Sequence, residues 1–307
     1  MREIELLAEQ DGCTPPPSAP NERWDIAMAT VAGRARKENQ DACAAWRQGD
    51  LQLLITADGV GGCPDGRLAA WLAVRAAAQI LSRCVCRGHL QRDPDTCLMA
   101  AFRYAANALF EQALDSGQLG VECLRTTLIM LVCTPAQYLY GYMGDGGIVL
   151  RRQGGLLEQL LVPQKADHLR PNVLAASLGP NPQGQPLLGH AERLPNDFLF
   201  VGSDGVFDRV EDDFFQTLAE AARDECDGNL AKLVDEALEQ LAAARDEAGY
   251  ICDDNMTLAL VANSVPERRA ENEVAQPVAS DSDGDPGNEG EGQHAHAGSQ
   301  GKQWADL

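Results

Sequence analysis

Five aspartates stand at turns in this chain, and their type and spacing could do chemistry. They are Asp41, Asp58, Asp145, Asp204 and Asp254. Each has a turn-forming glycine or a side-chain amide beside it, and four directly precede or follow an apolar, strand-like run. Carboxylates that come together repel one another unless cations lie between them. Because oxygen ligands without Cys or His favour Mg²⁺ or Mn²⁺ over zinc, converging turns would form a divalent-metal site.

The alternative interpretation is five unrelated turns on the surface. Asp-Gly is an ordinary turn dipeptide, so the glycine-rich stretch that follows Asp58 could be a plain connection between a strand and a helix. Residue spacing alone leaves both interpretations open, and the elements that position the turns are needed to choose between them.

Short apolar runs bounded by turn residues predict the strands around these turns. The predicted strands span residues 24–31, 42–46, 51–57, 126–133, 138–143, 148–152, 156–161, 198–202 and 256–262. The four between residues 126 and 161 are joined by short turns, which predicts a meander. The segment 162–195 is rich in Pro, Gly, Asn and Gln and has little periodicity, which is typical of a lid or binding loop.

Apolar residues that recur at every third or fourth position predict helices with one buried face. The predicted helices run from residue 64 to about 87, from Asp93-Pro94 to Gly117 or Gly120, over 212–223 and over 229–248. Asp as N-cap followed by Pro at the first helical position is typical of a helix start and indicates where the second helix begins. The arrangement predicts an α+β fold: a four-layer α-β-β-α sandwich of two antiparallel sheets flanked by helix pairs.

Charge and cysteine usage limit the class of protein. The 307 residues include 46 acidic and 25 basic ones, and the net charge of −21 opposes a nucleic-acid or anionic-membrane partner. We find neither a secretory signal nor an apolar stretch long enough to span a bilayer. The ten cysteines form no C-x-x-C pair, so we expect reduced thiols in a cytoplasmic protein. We also expect a monomer.

Composition predicts the domain boundaries. Residues 1–22 contain four prolines and are predicted to be a flexible leader. Residues 265–307 hold nine acidic and three basic residues and almost no large apolar groups, which predicts an acidic disordered tail over 264–307. A single domain would occupy residues 23–263.

Six motifs, in this order, resemble those of the metal-dependent protein phosphatases, the protein phosphatase 2C or PPM-type family. They are residues 36–41 (RKENQD), 58–62 (DGVGG), 126–127 (TT), 144–146 (GDG), 203–208 (SDGVFD) and 254–257 (DNMT). Residues 172–179 (NVLAASLG) are also similar to a family segment. The resemblance covers residues 24–262, and it is to a soluble, bacterial-like member.

The resemblance implies a protein-serine/threonine phosphatase with two Mn²⁺ or Mg²⁺ ions. Asp58 would bridge the ions, and the Gly59 carbonyl would bind one of them. Asp204 and Asp254 would complete the other. Asp145 would belong to a looser third metal site at the edge. A water shared by the two ions would then lose a proton near neutral pH and attack the phosphoester as hydroxide.

The same resemblance implies that Arg36 binds the phosphate, because its planar fork suits that anion, and that Asp41 orients the water between the metals. The alternative for Arg36 is a solvated loop charge, and Arg34 is the reserve candidate. Either way, the chemistry needs no nucleophilic side chain.

Four departures from the family pattern affect the expected activity. Val60 stands where some members carry a histidine that is a candidate general acid, and Gln40 replaces a glutamate. Gly146-Gly147 replaces Ser-Arg, and Arg125 stands where glycine is common. The metal carboxylates are all present, so we expect an active enzyme.

The implied partner is a phosphoprotein substrate, with a cognate Ser/Thr kinase or its targets as the circuit. The alternative function is a catalytically weak pseudophosphatase that acts as a partner-binding regulatory module, with the 162–195 segment as its contact surface.

Overall fold

Two five-stranded antiparallel sheets form the centre of the structure. The computed structural model describes residues 25–34, 36–63, 65–118, 124–167, 170–224, 230–246, 249–250 and 252–263. Its strands are β1 (Asp25–Val31), β2 (Asp41–Gln48), β3 (Leu51–Asp58), β4 (Leu128–Cys133), β5 (Gln137–Met143), β6 (Gly147–Arg151), β7 (Leu157–Gln159), β8 (Lys165–Asp167), β9 (Arg170–Leu174), β10 (Leu187–Glu192), β11 (Phe198–Gly202), β12 (Arg245–Asp246), β13 (Gly249–Tyr250) and β14 (Met256–Ala262). The first sheet has the order β1-β14-β11-β6-β7 and the second β10-β5-β4-β3-β2.

The helices are α1 (Gly66–Cys86), α2 (Pro94–Asp115), α3 (Asp204–Phe207), α4 (Asp212–Asp224) and α5 (Leu230–Ala243). The α1 and α2 helices pack against each other, and α1 also lies on β2 and β3. The α5 helix packs on β1 and β14, and α4 contacts β6 and α5. Asp93 caps α2 by accepting a hydrogen bond from the Thr96 amide at 3.1 Å, as the Asp-Pro pair predicts.

The two sheets share an apolar core. Leu54, Ile129 and Leu131 of the second sheet belong to the same buried cluster as Leu199 and Val261 of the first. Successive side chains of a strand point to opposite faces, so the neighbours of Leu54 must point elsewhere. Leu53 and Ile55 indeed join the other core cluster, with residues of α1 and α2. The predicted α+β fold of two antiparallel sheets with helices is therefore confirmed.

The segment 162–195 is more regular than its sequence indicates. It contains the β8–β9 hairpin and the strand β10, which pairs with β5 from Leu187 opposite Tyr142 to Glu192 opposite Gln137. The prediction of an irregular lid is wrong for these strands. Their weak alternation hid them, because β10 is an edge strand whose residues are mostly half-buried or exposed.

Three further predictions about elements need correction. The strands between residues 126 and 161 are not one meander, because β4 and β5 belong to one sheet and β6 and β7 to the other. The last helix ends at Ala243 rather than 248 and is followed by the β12–β13 pair. The short α3 helix after β11 was not expected.

The structure also changes two predictions: that the cysteines are reduced thiols, and that no apolar stretch is long enough to span a bilayer. Cys86 is disulfide-bonded, whereas Cys43, Cys84, Cys97, Cys133 and Cys252 are free thiols. In the described part of the chain, one helix, α1, is long and apolar enough to cross a bilayer by length and composition alone. Its packing on α2 and the second sheet is that of a core helix. The predicted leader (1–22) and tail (264–307) lie outside the described residues.

Candidate active site

The five aspartates lie at strand ends. Asp41 begins β2 and Asp58 ends β3, and the register of these strands places the two opposite each other. Asp145 lies in the turn between β5 and β6. Asp204 follows β11 and begins α3, and Asp254 lies just before β14, the strand that pairs with β11.

Four of these aspartates line one cavity of about 700 Å³, and they are Asp58, Asp145, Asp204 and Asp254. Arg36 and Gly59 line it too. The Gly59 amide donates to the Gln40 carbonyl at 3.2 Å, which fixes the backbone directly after Asp58. Asp41 is not among the described residues that line the cavity. The structure thus places all but one of the residues that the sequence singles out around this cavity, and the exception, Asp41, lies beside the cavity residue Asp58.

Asp41 is buried next to the cavity residue Asp58, and two hydroxyl groups hold its carboxylate. Its Oδ2 accepts hydrogen bonds from Ser203 Oγ at 2.8 Å and from Thr257 Oγ1 at 2.7 Å. Thr257 also donates its backbone amide to Ser203 Oγ at 2.9 Å. These bonds connect the start of β2 in one sheet to the end of β11 and the start of β14 in the other.

The backbone of Asp58 is anchored to the two residues that directly precede β4. Its amide donates to Thr127 Oγ1 at 2.9 Å, and its carbonyl accepts from the Thr127 amide and from Thr126 Oγ1, each at 2.8 Å. The two threonines of the 126–127 motif therefore hold the Asp58 turn in place, which explains chemically why hydroxyl side chains suit these positions.

The turns that carry Asp204 and Asp254 pack closely together. A Cβ on Gly205 would lie 2.0 Å from the Asn255 carbonyl oxygen, so a residue with a side chain cannot replace this glycine without moving the backbone. The Asn255 amide donates to Asp254 Oδ1 at 2.8 Å. The close approach of Gly205 to the Asn255 carbonyl sets the distance between the two acidic turns.

The loop between β1 and β2 crosses over the Asp254 turn. Arg36 Nη2 lies 2.5 Å from Asp254 Oδ2 and forms an ion pair with it. With its amide nitrogen towards Glu38, the Asn255 side chain donates to the Glu38 carbonyl at 3.1 Å and accepts from the Gln40 amide at 2.9 Å. The loop thereby presents Arg36 to the cavity.

A lysine that is not among the described cavity-lining residues lies between two carboxylates, one of which, Asp145, lines the cavity. Lys165 Nζ is 2.5 Å from Asp208 Oδ2 and 3.9 Å from Asp145 Oδ2. Burial alone would lower the pKa of Lys165, but the hydrogen bond to Asp208 and the charges of Asp208, Asp145 and Asp204 outweigh it and raise that pKa.

Burial and mutual repulsion disfavour ionised carboxylates here. Burial raises the pKa of Asp58 well above its ordinary value, and the charges of Asp41 and Asp204 raise it further. Burial also raises the pKa of Asp41 to about 6, against the hydrogen bonds from Thr257 and Ser203. Burial and the Asp204 charge raise the pKa of Asp145 to about 7. Burial raises the pKa of Asp204 as well.

The donor set fits divalent cations that prefer oxygen. Oδ1 of Asp204 and Oδ1 of Asp41 are buried without a hydrogen-bond partner. Because buried polar atoms normally have a partner, these two oxygens indicate a site for a ligand or a cation. In the described residues, however, no three or more His, Cys, Asp or Glu side chains already form a metal-binding group. Asp254 is turned to Arg36 instead. The residues therefore fit the ions by chemistry, and side-chain rotation must complete the set.

Sequence reasoning missed the supporting residues. Ser203 and Thr257 stand within the motifs that contain Asp204 and Asp254, so their hydroxyl groups were a signal that could have been used. Lys165 had no such signal, because its partners Asp145 and Asp208 are set by the tertiary fold.

The fold and the cavity define the chain as an α+β protein with two antiparallel sheets and a carboxylate-lined cavity at the strand ends. A family model described as protein phosphatase 2C matches residues 32–242. The chain therefore belongs to the protein phosphatase 2C family, which confirms the resemblance, and its class is that of the protein-serine/threonine phosphatases.

Individual relatives agree with this assignment. The chain is similar to the protein phosphatase PhpP of Streptococcus pneumoniae, with 26% identity over 264 residues that cover 80% of this chain and 100% of the relative. The Mycobacterium tuberculosis serine/threonine phosphatase PstP has a similar fold, with a TM-score of 0.60 and 23% identity over 79% of this chain and 99% of that one. A PstP catalytic domain was solved in complex with 2 manganese ions.

Proposed function

We propose that this chain hydrolyses phosphoserine and phosphothreonine on proteins and depends on Mn²⁺ or Mg²⁺. The observation that carries the proposal is the convergence of Asp58, Asp204 and Asp254 from both sheets on one cavity that Arg36 also lines. The PstP complex with manganese supports the choice of metal. When bound, two such cations supply positive charge that lowers the pKa of a shared water and offsets charge on the phosphoryl group.

The chain's own residues provide the positions. Asp58, Asp204, Asp254 and the Gly59 carbonyl would hold the cations. Arg36 would bind the phosphate oxygens through its planar guanidinium, in reach of the same cavity. Val60 lines the cavity, and its apolar side chain has no proton to donate, so this position supplies no general acid.

Asp41 takes a role that differs in detail from the implied one. It lies opposite Asp58 in the β2–β3 pair, so we propose that it holds Asp58 in position and, through its partnerless Oδ1, orients the attacking water. Ser203 and Thr257 fix the Asp41 carboxylate for that purpose.

The test is phosphate release from a phosphothreonine peptide and from an aryl phosphate, with and without added Mn²⁺. Asp58→Asn and Asp204→Asn should each lower kcat/KM at least about 100-fold, which corresponds to about 2.7 kcal/mol of transition-state stabilisation. Asp213→Asn, on the exposed first turn of α4, is the matched control and should leave the rate unchanged.

Two results would contradict the proposal. One is wild-type activity in either cavity variant. The other is no metal-dependent turnover in a folded wild-type protein, which would favour the alternative of a pseudophosphatase that binds a partner. A cytoplasmic, monomeric enzyme that opposes a Ser/Thr kinase fits the proposal, and size-exclusion chromatography with light scattering would test the monomer.

A further inference from the structure

Lys165 is a partly buried lysine whose ion pair reaches Asp145, one of the carboxylates that line the cavity. Its Nζ lies 2.5 Å from Asp208 Oδ2 and 3.9 Å from Asp145 Oδ2, and its side chain is 23% exposed. In the described residues this is the only ion pair of Asp145, whose side chain is 8% exposed. A buried carboxylate that is ionised needs a nearby cation, and here a side chain of the protein supplies it.

The residue before Lys165 fixes where the lysine can reach. The Gln164 amide donates to the Gly144 carbonyl at 2.9 Å, and the Gln164 Oε1 accepts from the Gly144 amide at 2.8 Å. The Gln164 carbonyl also accepts from the Ala175 amide at 2.7 Å. Gln164 is thus bound through both its backbone and its side chain to the residue that directly precedes Asp145, which leaves Lys165 little freedom to move away from that turn.

We propose that the Lys165 ammonium group serves as a built-in counter-ion on this side of the cavity, so that Asp145 binds no divalent ion. The inference rests on the proposed function, because it assumes two ions on the side of Asp58, Asp204 and Asp254. It replaces the looser third metal site that the sequence resemblance implies for Asp145. The ammonium occupies the space beside Asp145, and its charge repels a further cation there.

The experiment counts bound Mn²⁺ ions directly. Wild-type protein is saturated with Mn²⁺, and the number of ions per chain is measured by native mass spectrometry and by anomalous scattering in crystals. We expect two ions in the wild type and three in Lys165→Met, which keeps the length of the side chain but removes its charge. The third ion should lie beside Asp145.

Two controls make the count specific. Lys165→Arg keeps the positive charge and should keep two ions. Lys232→Met removes a lysine on α5 that pairs with Glu236 and should also keep two. Urea unfolding of each variant confirms that it is folded, and Lys165→Gln gives a second neutral variant if the methionine variant is not.

Three ions in the wild type, or two in both folded neutral variants, would overturn the proposal. Failure of the proposed function would look different, because the wild-type protein would then bind no Mn²⁺ at Asp58, Asp204 and Asp254 at all.

Discussion

Asp41 shows at the scale of a single residue how a buried carboxylate makes stability depend on pH. Its pKa in the folded protein is about 6, above the ordinary value of 3.8, because burial disfavours the charged form. An acid whose folded pKa is raised stabilises the fold while protonated. Its contribution is complete below about pH 4 and is lost as the pH rises to about 6, on the order of 3 kcal/mol at most.

We therefore predict that the free energy of unfolding of the wild type relative to Asp41→Asn falls between pH 4 and pH 6 and is constant above. The asparagine oxygen would still accept hydrogen bonds from Ser203 and Thr257. The measurement is urea unfolding of both proteins in chelator, and taking the difference cancels the titrating groups on which the charge of Asp41 has no effect. A flat or rising difference across this interval would contradict the prediction.

A second prediction about a single residue concerns the guanidinium group of Arg36. Arg36→Lys keeps the charge but loses the planar fork, so we expect kcat/KM for a phosphothreonine peptide to fall about 10- to 100-fold, mainly through a higher KM. Arg34→Lys is the control: Arg34 is exposed and is not among the described cavity residues. An equal effect of both substitutions would indicate general charge rather than a specific contact.

The acidic residues could be predicted from the sequence because each follows or precedes an apolar run next to a turn former. Their supporting contacts could not be. Thr257 reaches Asp41 across 216 positions of the chain, and the position of Lys165 depends on a hairpin whose pairing no local pattern reveals.

At the scale of helices and strands, the sequence predicted those elements that are buried on one face or on both faces. The strands β3, β11 and β14 are mostly apolar, buried runs between turns, and α1 and α2 have apolar faces. The strand β10 was missed because Gly189 interrupts a short edge strand of mixed polarity. The end of α5 was set too late because alanines continue past Ala243 without a local stop signal.

Packing at the start of β6 explains why Gly147, one of the two glycines that depart from the family pattern, has no side chain. A Cβ on Gly147 would lie 1.8 Å from Phe207 Cδ1, so the α3 phenyl ring fills the space of a side chain at 147. We predict that Gly147→Ala destabilises the protein by about 1–3 kcal/mol. The combination with Phe207→Ala should cost less than the sum of the single changes, as measured by urea unfolding.

Gly61→Ala is the control for this cycle, because no atom lies within 4 Å of a Cβ at that position. Additive effects of the two substitutions would show that the ring and the glycine are not coupled.

At the scale of the whole molecule, the described residues end at Asn263, which ties the end of β14 to its neighbours. Its amide donates to the Asp197 carbonyl at 2.9 Å, and its side chain donates to the Leu194 carbonyl at 2.5 Å. We predict that a chain that ends after residue 264 unfolds within about 0.5 kcal/mol of the full-length protein and keeps its phosphatase rate. A loss of stability or rate would give the acidic tail a role in the folded domain.

The acidic turns come from both sheets: Asp58 from the second, and Asp204 and Asp254 from the first. A cation that these turns share would link the two sheets and stabilise the fold. Saturation at about 100 times Kd adds about 2.7 kcal/mol to the free energy of unfolding. The melting temperature should therefore rise with free Mn²⁺ and fall with chelator, and the Asp58→Asn protein should show little of this response. In a cell short of manganese, the enzyme would lose durability together with its activity, so its abundance would follow the supply of metal.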